Sequence, residues 1–128
     1  RANGVQDRVT IAGECAPSTL AAVSETRVAL LSDCEGYEKI LLDPVLAPNL
    51  RNWSIIVEQH VLQDPTIATT IERRFRETHE IEVIDYVPPD GHGTAELGWL
   101  TAEQIRFVLS ERPYPMSWAM LRPRDAAP

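Results

Sequence analysis

The chain has 128 residues, 44% of them hydrophobic, and sets 12 basic against 19 acidic residues for a net charge of -7. That length is one domain with room for a proper core, and the apolar share argues against wholesale disorder. The charge disfavours nucleic acid or an anionic membrane surface as main partner, and no apolar run approaches the ~20 residues of a membrane span.

The chain opens at Arg1 without a methionine, and RANGVQDR reads as a helix end stopped by Asn3-Gly4. The expectation is a piece of a longer protein. No signal peptide pattern is present, and two cysteines without metal-type spacing suggest a reducing cytoplasm, although two could close one disulfide. Val9 to Ala12 (VTIA) is a short predicted strand closed by Gly13, followed by a loop of Glu14, Cys15 and Ala16. Pro17, Ser18 and Thr19 start a short helix. Val28 to Leu31 is an apolar run that fits a strand buried on both faces.

That strand ends in Ser32, Asp33, Cys34 and Glu35, and Gly36 permits a tight turn into the helical stretch KILLDPVL, broken by Pro44 and Pro48. Trp53 to Val57 (WSIIV) is a second apolar strand, ending in Glu58, Gln59 and His60. Asp64-Pro65-Thr66 caps a helix running to about Thr78, with Ile67, Ile71 and Phe75 on one face. The basic cluster Arg73, Arg74 and Arg76, interleaved with Glu72 and Glu77, reads as a solvated helix face.

Ile81 to Val87 alternates apolar and acidic positions as a half-exposed strand does. Residues 88–98 are a loop by composition. Thr101 with Gln104 forms a capping box for the helix TAEQIRFVLSER. Tyr114-Pro115 turns the chain into a last strand, MSWAML, and the tail 123–128 is expected to fray. Strands alternating with helices imply an α/β domain with a mainly parallel sheet, right-handed crossovers and an antiparallel edge strand. Ligands in such sheets sit outside the carboxyl ends of the strands. Asp33-x-Glu35-Gly36 and Glu58-x-His60 are therefore the first places to seek chemistry.

The succession strand-DCEGYE-helix, then strand-VEQH, resembles the C-terminal portion of class I S-adenosylmethionine-dependent methyltransferases, and within them the FkbM-type group. From Arg1 to about Arg122 the chain can be laid on that fold from its third strand onward. The resemblance implies a single, partial Rossmann-like domain over 1–128, lacking the first two strands of the methyltransferase fold. No GxGxG, the glycine-rich cofactor loop expected on the first strand, occurs in these 128 residues.

S-adenosylmethionine is the cofactor so implied. Gly13, Glu14 and Cys15 would border its adenine, and Ser32 and Asp33 its methionine end and the transferred methyl. Glu58 and His60 would face the acceptor, a small-molecule hydroxyl. Removing the acceptor's proton needs a base or a metal ion. Histidine changes charge near neutral pH, which favours His60 as the base. Asp33, Glu58 and His60 could instead hold a divalent ion, with histidine leaning it toward Mn²⁺ or Zn²⁺.

Each assignment has a plainer rival. Asp33 and Glu35 could accept hydrogen bonds from helix N-terminal amides, Glu38 could face solvent or pair with Lys39, and His60 could satisfy backbone groups. His79 near a helix C-terminus reads as structural, His92 as part of a linker, and the three tryptophans as core or site roof. Nucleophilic catalysis by Cys15 or Cys34 is disfavoured, since neither has a histidine fixed beside it. Without the first strands the fourth would be left as an apolar edge, predicting pairing with VTIA, a homo-oligomer or missing N-terminal polypeptide. The competing reading is a non-catalytic interaction module working through that edge. A dinucleotide-binding protein of related topology is disfavoured for want of a fingerprint loop.

Overall fold

A computed structural model describes residues 3–87, 95–110 and 116–124. Within them run α1 (Pro17–Ala21), β1 (Ala29–Ser32), α2 (Glu38–Leu41), β2 (Ser54–Gln59), α3 (Ile67–Phe75), β3 (His79–Ile84), α4 (Ala102–Leu109) and β4 (Ser117–Pro123). Three-residue or five-residue 3₁₀ turns lie at Gln6–Arg8, Pro48–Asn52 and Ala95–Leu97. The domain is α/β, as the alternation of elements implies.

The sheet order is β1-β2-β4-β3. Among the described strands, only β1 and β2 are parallel, with Ala29 beside Ser54 and Ser32 beside Val57. β4 runs antiparallel to both of its neighbours. The sheet is thus mixed rather than mainly parallel, and the final strand is interior, not an edge. Burial explains the placement. Ala119 and Leu121 of β4 are fully buried, whereas β3 exposes Glu80 and Glu82 and suits a solvent-facing edge.

Two cross-strand rows define the faces. Leu30, Ile55, Leu121 and Ile81 lie in register on one side, and Leu31, Ile56, Met120 and Glu82 on the other. The first row joins Leu41, Leu42, Leu50, Trp53, Ile67, Ile71 and Phe75 in the core. The second is open: Leu31 is 67% exposed and Ile56 37%. β1 is therefore buried on one face only, correcting the expectation of two.

VTIA forms no strand, and Val9 and Ile11 are exposed. Its β-branched residues favour strands only where a ladder and a face to bury are available, and this segment finds neither. β1 consequently remains an edge.

Local chemistry explains the helices. The Ala16 N–H donates to Thr19 Oγ1 at 3.3 Å, and Pro17 opens α1 without wasting a donor. The Asn49 amide then donates to the carbonyls of Leu20, Ala21 and Val23 at 3.1, 3.4 and 2.7 Å, serving groups that a helix end leaves unpaired. The capping box forms as expected, with Gln104 N–H donating to Thr101 Oγ1 and Thr101 N–H to Gln104 Oε1.

Some boundaries move. α3 stops at Phe75 rather than near Thr78, and β3 starts at His79 and closes at Ile84. At the start of the chain, a 3₁₀ turn follows Gly4 (φ +60°) where a helix end was expected to precede it. Arg74 is no solvated residue: its guanidinium donates to the Lys39 and Leu42 carbonyls and to the Asp43 carboxylate, tying α3 to α2. Trp53 is core, but Trp99 is 80% exposed. Pro123 closes β4 and the Arg124 N–H donates to the Thr78 carbonyl at 2.8 Å, so the first two tail residues are held rather than frayed; His92 and residues 125–128 lie outside the described residues.

Candidate functional site

β1 and β2 lie side by side and parallel, so their carboxyl ends deliver Asp33 and Glu58-x-His60 to the same edge of the sheet. The turn after β1 reverses the chain through two consecutive left-handed residues, Glu35 (φ +53°) and Gly36 (φ +102°). Glycine takes that conformation without strain, whereas at Glu35 it is uncommon. The turn brings Glu35 back over the strand end and starts α2 at Glu38.

Four acidic side chains converge on one imidazole. His60 is fully buried, and its Nδ1 lies 2.5 Å from Glu38 Oε1, itself fully buried. The same carboxylate oxygen accepts the Gly36 N–H at 3.3 Å, coupling the turn to the histidine. With Glu38 Oε1 as its acceptor, Nδ1 is the donating nitrogen of the ring, and Nε2 is the nitrogen left facing the cluster.

That nitrogen is buried and makes no hydrogen bond. It faces Glu35 Oε2 at 3.4 Å, Asp33 Oδ1 at 3.6 Å and Glu58 Oε2 at 3.6 Å. The Asp33 and Glu35 side chains are 46% and 64% exposed, while that of Glu58 is only 7% exposed. The cluster thus has a buried floor and an open mouth. Ligand atoms of Asp33, Glu35 and His60 all lie within 4.8 Å of one another, close enough to share one metal ion.

Ion pairing secures the surrounding loops. Lys39 Nζ donates to Asp64 Oδ2 at 2.6 Å and to Thr66 Oγ1 at 2.8 Å, holding the loop after His60 against α2. Lys39, with the Thr66 hydroxyl and amide donating to the same carboxylate, holds the Asp64 carboxyl at about 2, below the usual 3.8. Lys39 therefore pairs with Asp64, and Glu38 turns inward, opposite to its plainer reading.

The remaining candidates are placed as follows. Ser32 is buried and lies 3.4 Å from the Cys34 sulfur through its hydroxyl. Burial pushes the Cys34 thiol up from its ordinary value, against a thiolate nucleophile. Gly13, Glu14 and Cys15 lie on an exposed segment that follows no strand, and they do not belong to the His60 cluster. Both cysteines are free. His79 is buried, with Nε2 2.9 Å from the Trp53 carbonyl, and desolvation holds it below its ordinary value. It opens β3 as a buried, hydrogen-bonded strand residue rather than sitting as a cation at a helix end. A groove of about 440 Å³ between α3 and the sheet, lined by Gln59, Ala68, Thr69, Ile71, Glu72, Ile81 and Val83, contains none of the clustered residues.

Glu38 is the cluster residue that the sequence reading set facing solvent or Lys39 instead. A signal was present, since Glu38, Leu41 and Leu42 fall three and four residues apart on one helix face, and both leucines are buried. No protein-family model matches this chain, and neither a curated protein nor a solved structure matches it. Among the described residues, no helix is long and apolar enough to cross a membrane.

Proposed function

We propose that this chain carries the acceptor side of an S-adenosylmethionine-dependent methyltransferase acting on a small-molecule hydroxyl. The observation that supports this reading is the meeting of the DxEGxE and ExH stretches at His60 Nε2, a buried nitrogen without a hydrogen bond, aimed at an open acidic mouth. Asp33 lines the cofactor's methionine end and the acceptor. His60 and Glu58 are the groups that take up the hydroxyl proton or hold a metal ion that acidifies it.

The reaction balances without an added oxidant or reductant. The hydroxyl proton passes to the base, and an oxygen lone pair attacks the methyl carbon in line with the breaking C–S bond. That bond's electron pair returns to sulfur, releasing neutral S-adenosylhomocysteine. The finer Rossmann-like assignment belongs to the same proposal. It requires a glycine-rich cofactor loop supplied from outside these 128 residues. The β1 edge and the open face around Leu31 and Ile56 are the surfaces against which such polypeptide, or a second copy of the chain, would pack.

Calorimetric titration of S-adenosylhomocysteine into the full native protein tests the reading, with turnover of labelled cofactor as the second measurement. Binding is expected, and Asp33→Ala should abolish turnover. No binding to the full native protein would overturn the proposal. The open apolar face would then favour the second reading, an interaction module that works through its sheet edge.

A further inference from the structure

We infer that Asp33, Glu35 and His60 form a binding site for one divalent transition-metal ion, of the Mn²⁺ or Zn²⁺ class. Clustered acids alone would not carry this. The decisive feature is His60 Nε2, which is inside the protein, lacks a hydrogen bond and faces the cluster. Burying a polar atom without a partner is costly, and a bound cation would satisfy it.

The spacing suits one ion. Two donors held about 2.1 Å from a metal, at cis or tetrahedral angles, lie roughly 3.0–3.4 Å apart. Here Nε2 is 3.4 Å from Glu35 Oε2 and 3.6 Å from Asp33 Oδ1, and all three ligand atoms lie within 4.8 Å of one another, so the two exposed carboxylates need only draw in around the ion. Two carboxylate oxygens and an imidazole nitrogen form a mixed donor set. Mg²⁺ and Ca²⁺ favour all-oxygen shells, so the imidazole selects against them.

The shell behind the ligands is also built for a metal. Glu38 accepts a hydrogen bond from Nδ1, which fixes the ring and turns Nε2 toward the cluster. It also holds Gly36, whose turn carries Glu35. With the Asp33 and Glu35 side chains about half exposed, the ion has an entry path and can keep open positions for an exchangeable ligand. Under the methyl-transfer reading, on which this part rests, the acceptor oxygen would occupy one of them and Glu58, outside the ligand set, would take its proton.

The test is Mn²⁺ binding to the 128-residue chain, followed by calorimetry and by loss of the free-ion paramagnetic resonance signal. One ion per chain is expected, retained in roughly a hundredfold excess of Mg²⁺ because the imidazole donor disfavours Mg²⁺. Asp33→Asn and Glu35→Gln, both at exposed positions, should each weaken binding at least about tenfold, while Glu72→Gln on α3 should leave it unchanged. Circular dichroism of each variant separates a lost ligand from a lost fold. Absence of binding, equal binding by the Asp33→Asn/Glu35→Gln double variant, or displacement by Mg²⁺ would overturn the inference. Metal binding without S-adenosylhomocysteine binding by the native protein would keep this site and sink the methyl-transfer reading, and the reverse result would do the opposite.

Discussion

Replacing Glu38 with alanine removes the support of His60, and the structure sets the scale of the loss. The carboxylate is fully buried and accepts from His60 Nδ1 and the Gly36 amide. A charge-assisted hydrogen bond contributes roughly 1.5–3 kcal/mol, and leaving a buried donor such as the Nδ1–H without a partner costs about 1–3 kcal/mol. A partial offset follows from Glu38 Oε2, which is buried without a hydrogen bond and disappears with the substitution. The net expectation is about 2 kcal/mol. For a domain of this size roughly 4 °C accompanies each kcal/mol, so Tm should fall by about 8 °C. Glu38→Gln keeps an oxygen for the Nδ1 proton and should cost only about 1 kcal/mol. The assays are thermal melting by circular dichroism and ¹⁵N shifts of the His60 ring. These shifts should report an Nδ1-protonated tautomer in wild type and in Glu38→Gln, but a mixture in Glu38→Ala. A Tm change below about 2 °C, or an unaltered tautomer in Glu38→Ala, would refute the assignment of Glu38 as the group that orients His60.

Two further outcomes probe the loops that frame the cluster. Gly36→Ala places a Cβ at φ +102°, with Gln63 Cβ 3.2 Å away, so strain and crowding should together cost about 1–3 kcal/mol in urea denaturation; unchanged stability would show that the turn is not constrained as described. The Asp64 carboxyl is held at about 2 by Lys39 against 3.8 ordinarily. Its ionised form favours the folded state, so its contribution is complete above the higher value and fades as pH falls through the lower. The stability difference between wild type and Asp64→Asn should therefore be level near neutrality and shrink between about pH 4 and pH 2, and 1 M salt should reduce it because both side chains are about one-third exposed. A difference independent of pH over that range would show that the Lys39 pair does not set the carboxyl's affinity for protons.

The parts of the fold that were legible in the sequence are those set by short-range pattern. WSIIV, the Ile67/Ile71/Phe75 face and the Thr101/Gln104 box each depend on neighbours within one or two turns, and each formed. What depends on partners far along the chain was not legible. VTIA and VALL are alike in composition, yet only the second found a ladder, and only through β2. Strand order is a property of burial across the whole sheet, so MSWAML, the last strand in sequence, became an interior one. The site divides along the same line. Asp33, Glu58 and His60 were readable because strand ends in an α/β sheet are predictable places, and Glu35 because it shares the same turn. Glu38 was not, because a charged residue is assumed to face water unless a partner is known, and its partner lies 22 positions away.

That misreading bears on mechanism. A glutamate on the buried face of a short helix, between Tyr37 and two core leucines, is energetically unfavourable for folding alone. The site retains it together with a second buried polar group that it orients, and the nitrogen it orients is left facing three more acids. Replacing Glu38 and His60 together by apolar residues of similar volume should be close to neutral, or even stabilising, for the fold. Under the proposed reading, a pair that stability does not require, aimed at an open mouth of carboxylates, serves to hold a cation or to accept a proton. Nε2 cannot do both at once, so Mn²⁺ occupancy decides which of the two His60 performs.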